Sequence, residues 1–143
     1  MIVRRCSIED IDEIYKIEEE SFTDPMKKET MEKDILRESY YCYGLFEDKL
    51  MAFVSFEKVF EEGQIISVAT KKEHRGKGFA KKLFCEITDA AKKDGVELFT
   101  LEVRSDNIAA TGLYKSLGFT EVGVRKNYYK NPLCDAILMD LHL

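Results

Sequence analysis

The sequence GQIISVATKKEHRGKGFAKKL, residues 63–83, changes character twice along its length. Its first eight residues are rich in apolar and β-branched side chains, which favour a strand. A basic loop that contains Gly76 and Gly78 follows, and after it apolar residues recur at the spacing of a helix. The stretch therefore predicts a strand, a glycine-containing loop and the start of a helix.

The residues that follow extend this unit. Apolar residues at helical spacing predict a helix over 79–93, and Asp94-Gly95 predicts its end. Three more strands are predicted, with a helix from Asn107 to Leu117 between the first two of them. The predicted strands are VELFTLEV at 96–103, FTEVGVRKNYY at 119–129 and AILMDLHL at 136–143.

The N-terminal third is predicted to begin with two helices. The first covers 8–17, where Ser7 is able to cap it, and the second runs from Asp24-Pro25 to about Leu36. Two aromatic-rich strands then predict a hairpin through Glu47-Asp48-Lys49: YYCYGLF at 40–46 and LMAFVSFEKVF at 50–60. The predicted order, ααβββαβαββ, indicates an α/β fold with a mixed sheet and helices on both faces.

Length and composition limit the class of protein and its partners. The chain has 143 residues and no linker or repeat divides it, which predicts one domain over 1–143. Its net charge of −5 argues against a broad nucleic-acid-binding surface. No apolar run approaches the roughly 20 residues of a membrane span, and no signal segment opens the sequence. We expect neither nucleic acid nor a membrane as a partner.

The cysteines and histidines form no metal-binding pattern. None of the four cysteines lies in a C-x-x-C arrangement, and there are only two histidines. Scattered cysteines suit a reducing compartment, so we expect free thiols, no metal and a cytoplasmic location. The residues concerned are Cys6, Cys42, Cys85, Cys134, His74 and His142.

The glycine-containing loop has the properties of an anion site. Backbone N–H groups at a helix N-terminus attract negative charge, and Gly76 and Gly78 allow a ligand to approach the backbone closely. The loop lacks the G-x-x-x-x-G-K-[ST] pattern of a P-loop, and Lys81 replaces the third glycine of G-x-G-x-x-G. It is interpreted either as a phosphate site of another type or as a solvated helix start.

Residues 101–119, LEVRSDNIAATGLYKSLGF, carry two side chains suited to proton transfer. Glu102 lies towards the end of a predicted strand, and Asn107 and Tyr114 share one face of the next helix. A carboxylate and a phenol that converge on one crevice could act as base and acid. Structural interpretations also exist: a solvated strand residue for Glu102, a helix cap for Asn107 and a packed aromatic ring for Tyr114.

Four segments together resemble one protein family. Arg75-Gly76-Lys77-Gly78-Phe79-Ala80 resembles the R/Q-x-x-G-x-G/A motif of the GNAT acetyltransferases, and residues 101–119 closely resemble a segment of the RimI-type N-terminal protein acetyltransferases. Residues 125–141, RKNYYKNPLCDAILMDL, are similar to the end of that group, and residues 3–22 to its first helix. The resemblance implies the GNAT fold: a central mixed, mostly antiparallel sheet in which two parallel strands splay apart.

The resemblance also implies acetyl-CoA as co-substrate, held in the cleft between the splayed strands. Backbone groups of one strand would bind the pantetheine arm, and the glycine-containing loop would bind the pyrophosphate. The implied cofactor-binding residues are Val68, Ala69, Thr70, Arg75, Gly76, Lys77, Gly78, Phe79, Ala80, Lys81, Asn107 and Tyr114.

Catalytic roles are implied for Glu102 as general base and Tyr114 as the general acid that protonates the leaving thiolate. Phe22, Tyr128 and Tyr129 are implied to flank the bound peptide, with Tyr128 favoured over Tyr129, although all three also suit core or strand positions. The two segments that shape the peptide pocket depart from the family pattern at Met26 and at Leu133-Cys134.

The implied activity is acetyl transfer to the α-amino group of a protein or peptide, with a ribosomal protein or nascent chains as candidate substrates. An α-amino group has a pKa of about 7.7–8.0, against about 10.4 for lysine, so a modest base suffices. The alternatives are a small-molecule amine, a lysine side chain, or a non-catalytic module that binds acetyl-CoA.

Overall fold

Residues 1–143, all of which the computed structural model describes, form seven β-strands and four α-helices. The strands are β1 (Ile2–Arg5), β2 (Tyr40–Glu47), β3 (Lys49–Val59), β4 (Glu62–Thr70), β5 (Leu98–Arg104), β6 (Thr120–Tyr129) and β7 (Cys134–His142). The helices are α1 (Ile11–Ser21), α2 (Lys28–Asp34), α3 (Phe79–Lys93) and α4 (Ile108–Ser116). Single turns of 3-10 helix lie at Ile8–Asp10 and Lys72–His74.

All seven strands form one sheet in the order β1-β2-β3-β4-β5-β7-β6. Neighbouring strands are antiparallel except β4 and β5, which are parallel. Parallel neighbours need a long crossover connection, and α3 lies in the one that joins them. The α/β fold with a mixed, mostly antiparallel sheet is therefore confirmed.

Both faces of the sheet are buried under helices, because successive side chains of a strand point to opposite sides. On β3, Leu50 and Phe53 belong to the apolar cluster under α1 and α2, whereas Val54 and Phe56 belong to the cluster under α3. Phe56 packs edge-on against Phe99 of β5, with ring centroids 5.2 Å apart. The expectation of helices on both faces is confirmed.

The predicted element order is wrong at the N-terminus, where Ile2–Arg5 forms an edge strand before the first helix. Pairing with β2 creates this strand, in a register that runs from Ile2 opposite Phe46 to Arg5 opposite Tyr43. Four residues that include two arginines carry no local strand pattern. Only the tertiary partner makes the segment extended.

The start predicted for the second helix is also wrong. The helix begins at Lys28, three residues after Pro25. The reason is that the backbone of Lys27 is extended, with φ −66° and ψ 142°, so the helix cannot start before Lys28. The backbone N–H of Met26 donates to the carboxylate of Glu18 at 3.2 Å. Segment 22–27 is a non-helical connection between α1 and α2.

Candidate active site

A cleft opens where β4 and β5 separate. The two strands pair at three positions, which end at Gln64 opposite Thr100. Beyond this point β4 continues to Thr70 and β5 to Arg104 without pairing to each other. Backbone N–H and C=O groups of both strands therefore face the gap, and such groups require hydrogen-bond partners.

A β-bulge in β4 lies at the base of this cleft. Ser67 pairs with Ser55 and Ile65 with Phe56, so Ile66 is an extra residue without a partner on β3. Bulges bend and twist a strand, which helps to explain why β4 leaves β5 at this point. The segment predicted to bind the pantetheine arm, 68–70, follows the bulge directly and forms one wall of the cleft.

The glycine-containing loop, residues 71–78, continues from that wall into α3. Gly76 and Gly78 have φ angles of 78° and 79°, which glycine adopts without strain. A Cβ atom at either position would meet nothing within 4 Å, so the loop backbone is open to an approaching molecule. The first N–H groups of α3 lack helical partners and lie next to this opening. This geometry fits a pyrophosphate group.

Arg75 has a structural contact within this loop. Its guanidinium donates to the backbone carbonyl of Thr70 at 3.1 Å and to the hydroxyl of Ser21, the last residue of α1, at 3.0 Å. Lys77 and Lys81 are exposed beside the loop. Arg75 thus holds the loop in place, while the lysines supply the positive charge that faces solvent.

Glu102 lies on the β5 wall, on its solvent-accessible side. One carboxylate oxygen is 3.4 Å from the guanidinium of Arg125 on β6. Tyr128 is also a neighbour of this carboxylate, since hydrogen-bonding proximity and the negative charge of Glu102 raise the pKa of Tyr128 above its usual value. A carboxylate, a cation and a phenol are therefore grouped at the open end of the cleft.

The adjacent Tyr128 and Tyr129 are brought into contact with each other by an irregularity in β6. The β6–β7 register jumps between Arg125 and Tyr129. Asn127 has a φ of 54°, and its N–H donates to Asp135 at 2.8 Å. The two tyrosine rings meet edge to face with centroids 5.1 Å apart. A turn at 130–133 follows the two tyrosines, and the irregularity before Tyr128 was not predicted.

Tyr114 projects from α4 into a more enclosed environment. Its ring packs edge-on against Phe119, at 5.8 Å between centroids. Burial, with a smaller contribution from Tyr129, raises the pKa of Tyr114 to about 12. Burial first, and then the negative charge of Glu102, raise the pKa of Tyr129 above its usual value. Tyr129 is thus an electrostatic neighbour of both proposed catalytic residues.

Asn107 caps α4, since its side-chain oxygen accepts from the N–H of Ala110 at 3.0 Å. The structural interpretation of this residue is therefore correct, and a contact with the cofactor stays a prediction. Phe22 follows the last residue of α1 and begins segment 22–27 with 36% of its surface exposed, so it is not a core residue.

Two further polar residues near the cleft were missed by the sequence analysis. Arg125 was part of a quoted motif but was given no role. Glu18 lies on the buried stripe of α1, seven residues after Ile11 and four after Ile14. A charged residue at that spacing is a detectable anomaly, because ionised side chains are almost never fully buried without partners.

Metal-ligating clusters and membrane-spanning helices are absent from residues 1–143. No three His, Cys, Asp or Glu side chains come together as a potential metal site. All four cysteines are free thiols. None of the helices has both the length and the apolar composition that crossing a membrane requires.

Comparison with known proteins now identifies the family. The acetyltransferase (GNAT) family model matches residues 8–119. The chain belongs to the GNAT acetyltransferase family. Its resemblance to the RimI-type members is confirmed by a ribosomal protein bS18-alanine N-acetyltransferase from Escherichia coli (strain K12). That relative is 33% identical over 135 residues, which cover 92% of this GNAT chain and 90% of the relative.

Solved GNAT structures match almost the whole chain. The ribosomal-protein-S18-alanine N-acetyltransferase from Escherichia coli has a TM-score of 0.90 at 30% identity, over 99% of this chain and 92% of that one. PaiA N-acetyltransferase from Thermoplasma acidophilum, in complex with coenzyme A, has a TM-score of 0.83 at 20% identity, over 99% and 98%. The GNAT fold is confirmed, and the individual site residues stay predictions.

Proposed function

We propose that this GNAT enzyme is an N-terminal protein acetyltransferase that moves the acetyl group of acetyl-CoA to the α-amino group of a ribosomal protein. The observation that carries the proposal is the position of Glu102 on one wall of the cleft between β4 and β5, beside two tyrosines. The names of the relatives support the substrate class. A ribosomal substrate would place the reaction in the cytoplasm.

Acetyl-CoA fits the cleft by its chemistry. The pantetheine arm contains amide groups, which suit the backbone of segment 68–70, where β4 no longer pairs with β5. The residues proposed for this contact are Val68, Ala69 and Thr70. The pyrophosphate matches the open loop of Gly76 and Gly78 at the start of α3. The related structure that contains coenzyme A supports this choice of ligand. Asn107 and Tyr114 are proposed as further residues that bind acetyl-CoA.

The proposed reaction is a direct attack of the neutral amine on the thioester carbonyl carbon. A C–N bond forms, the C–S bond breaks, and the amine loses a proton to Glu102, directly or through water. The thiolate leaves with a proton from Tyr114. Because the pKa of Tyr114 is about 12, its hydroxyl keeps that proton throughout the physiological range. Placing both substrates in one cleft supplies much of the rate.

The peptide is proposed to enter beside the exposed end of the cleft. In this proposal Phe22, at the start of segment 22–27, contacts the peptide on one side, and Tyr128 and Tyr129 contact it on the other. Tyr128 is 47% exposed, whereas Tyr129 is half-buried beside Arg104, whose guanidinium is 5.2 Å from the ring centroid. The exposed Tyr128 is therefore favoured as the residue that contacts the peptide.

The experiment that tests this function uses short peptides with one free α-amine and one internal lysine. Each peptide is incubated with acetyl-CoA, and fragmentation mass spectrometry locates the acetylated nitrogen. We expect acetylation of the α-amine, with small first residues such as alanine preferred. Acetylation of lysine alone, or tight acetyl-CoA binding without transfer to any peptide, would reassign the enzyme to another amine or to a binding role.

A further inference from the structure

Glu18 is a buried carboxylate whose two oxygens contact two different parts of the protein. Only 4% of the residue is exposed. Oε1 accepts from the hydroxyl of Ser67 on β4 at 3.0 Å, and Oε2 accepts from the backbone N–H of Met26 at 3.2 Å. One side chain of α1 therefore joins β4 to segment 22–27.

Both contacts lie beside backbone that is not fully paired. Ser67 follows the bulged residue Ile66, in the part of β4 that pairs with β3 but no longer with β5. Met26 lies within the non-helical segment 22–27. The first contact is on the proposed acetyl-CoA wall, and the second is in the proposed peptide wall.

Packing alone does not require a carboxylate at this position. Glu18 continues the apolar stripe of Ile11, Ile14 and Ile17, where a leucine would fill the space without burying a charge. Burial raises the pKa of Glu18, because removing the carboxylate from water disfavours its charged form. Both neighbours are hydrogen-bond donors, so an acceptor at this site satisfies them together.

We propose that Glu18 is a positioning residue that fixes the peptide-side segment 22–27 against the acetyl-CoA strand β4. The inference rests on the proposed function for the identity of the two walls. Without the carboxylate, segment 22–27 shifts and the peptide binds poorly. Acetyl-CoA binding is unaffected, since β4 keeps its full pairing with β3.

Two substitutions separate positioning from packing. Glu18→Leu keeps the apolar stripe and removes both hydrogen bonds. Glu18→Gln keeps both, because the amide oxygen accepts from the N–H of Met26 and the amide N–H donates to the Ser67 hydroxyl, which also accepts. We expect Glu18→Leu to raise the peptide KM about tenfold or more, with the Kd for acetyl-CoA changed less than about twofold. Glu18→Gln is expected to restore the peptide KM to within about threefold.

The matched control is Glu19→Leu, the same change at the neighbouring exposed residue. It is expected to leave both the peptide KM and the acetyl-CoA Kd unchanged. Ser67→Ala removes only the β4 contact, and in combination with Glu18→Leu it is expected to add nothing to the effect of Glu18→Leu alone.

Hydrogen exchange of segment 22–27 gives a readout that needs no activity. Faster exchange there in Glu18→Leu, and wild-type exchange in Glu18→Gln, is the expected result. Unchanged exchange and an unchanged peptide KM in Glu18→Leu would overturn the inference while leaving the function intact. Faster exchange in Glu18→Leu, with no peptide acetylated even by the wild-type protein, would instead refute the function and keep the positioning role.

Discussion

Glu102 is the residue on which the proposed chemistry depends most. Its carboxylate lies beside the open end of the cleft and 3.4 Å from the Arg125 guanidinium. We predict that Glu102→Gln, which keeps the shape and removes the base, lowers kcat about 10²-fold or more. The Kd for acetyl-CoA, measured by calorimetry, is expected to stay unchanged. Normal turnover in this variant would show that another group accepts the proton.

Tyr114 leads to a prediction about how the activity depends on pH. Its raised pKa, about 12, means that the protonated phenol persists above the usual tyrosine range near pH 10. We expect kcat/KM to rise as the substrate α-amine loses its proton near pH 8 and then to stay level to about pH 10. Tyr114→Phe should lower kcat about 10²-fold across this range. A fall above pH 9 that disappears in Tyr114→Phe would contradict the raised pKa of Tyr114, and normal turnover in Tyr114→Phe would contradict its role as the acid.

The roles of single residues were hardest to predict where tertiary contacts decide them. Residue types alone favoured structural interpretations of Glu102 and Asn107, and Asn107 is indeed a helix cap. Glu18 went unnoticed because its partners, Ser67 and Met26, are 49 and 8 residues away in sequence. Such a contact exists only after folding.

The two ends of α3 provide a matched prediction at the level of elements. Gly78 precedes the helix and Gly95 follows it, with φ angles of 79° and 86° and open space around both. Alanine at either position costs about 1–2 kcal/mol of stability, because a Cβ disfavours the left-handed backbone. Only Gly78→Ala is expected to weaken acetyl-CoA binding, by about tenfold, as its loop relaxes. Calorimetry on both variants measures this, and equal weakening would refute the phosphate site.

Elements with agreeing local signals were predicted correctly, and the others were not. The unit from β4 to α4 has caps, glycines and periodicity that all favour one structure. By contrast, β1 exists because β2 offers it a partner, and α2 begins only after segment 22–27, where the N–H of Met26 donates to Glu18. The break in β6 before Tyr128 depends on Asp135 in β7. These features are set by neighbours in space.

For the whole molecule, the prediction of one domain over 1–143 can be tested by unfolding. The clusters under α1 and α3 share the same sheet, so both should be lost together. Ile17→Ala and Ile87→Ala remove one buried side chain from each cluster and should each cost about 2–5 kcal/mol. Because the sites lie on opposite faces, their effects should add. Urea unfolding followed by fluorescence and circular dichroism would show one transition, and two separate transitions would indicate two domains.

The short pairing between β4 and β5 also has a mechanical consequence. Three residue pairs join these strands, whereas eight join β3 to β4 and seven join β5 to β7. The sheet thus consists of two well-bonded halves with a weak seam between them, and the first and last strands of the chain belong to different halves. Tension between the chain ends is carried across that seam. A molecule that pairs with both strands would connect the two halves and raise the force needed to unfold the protein.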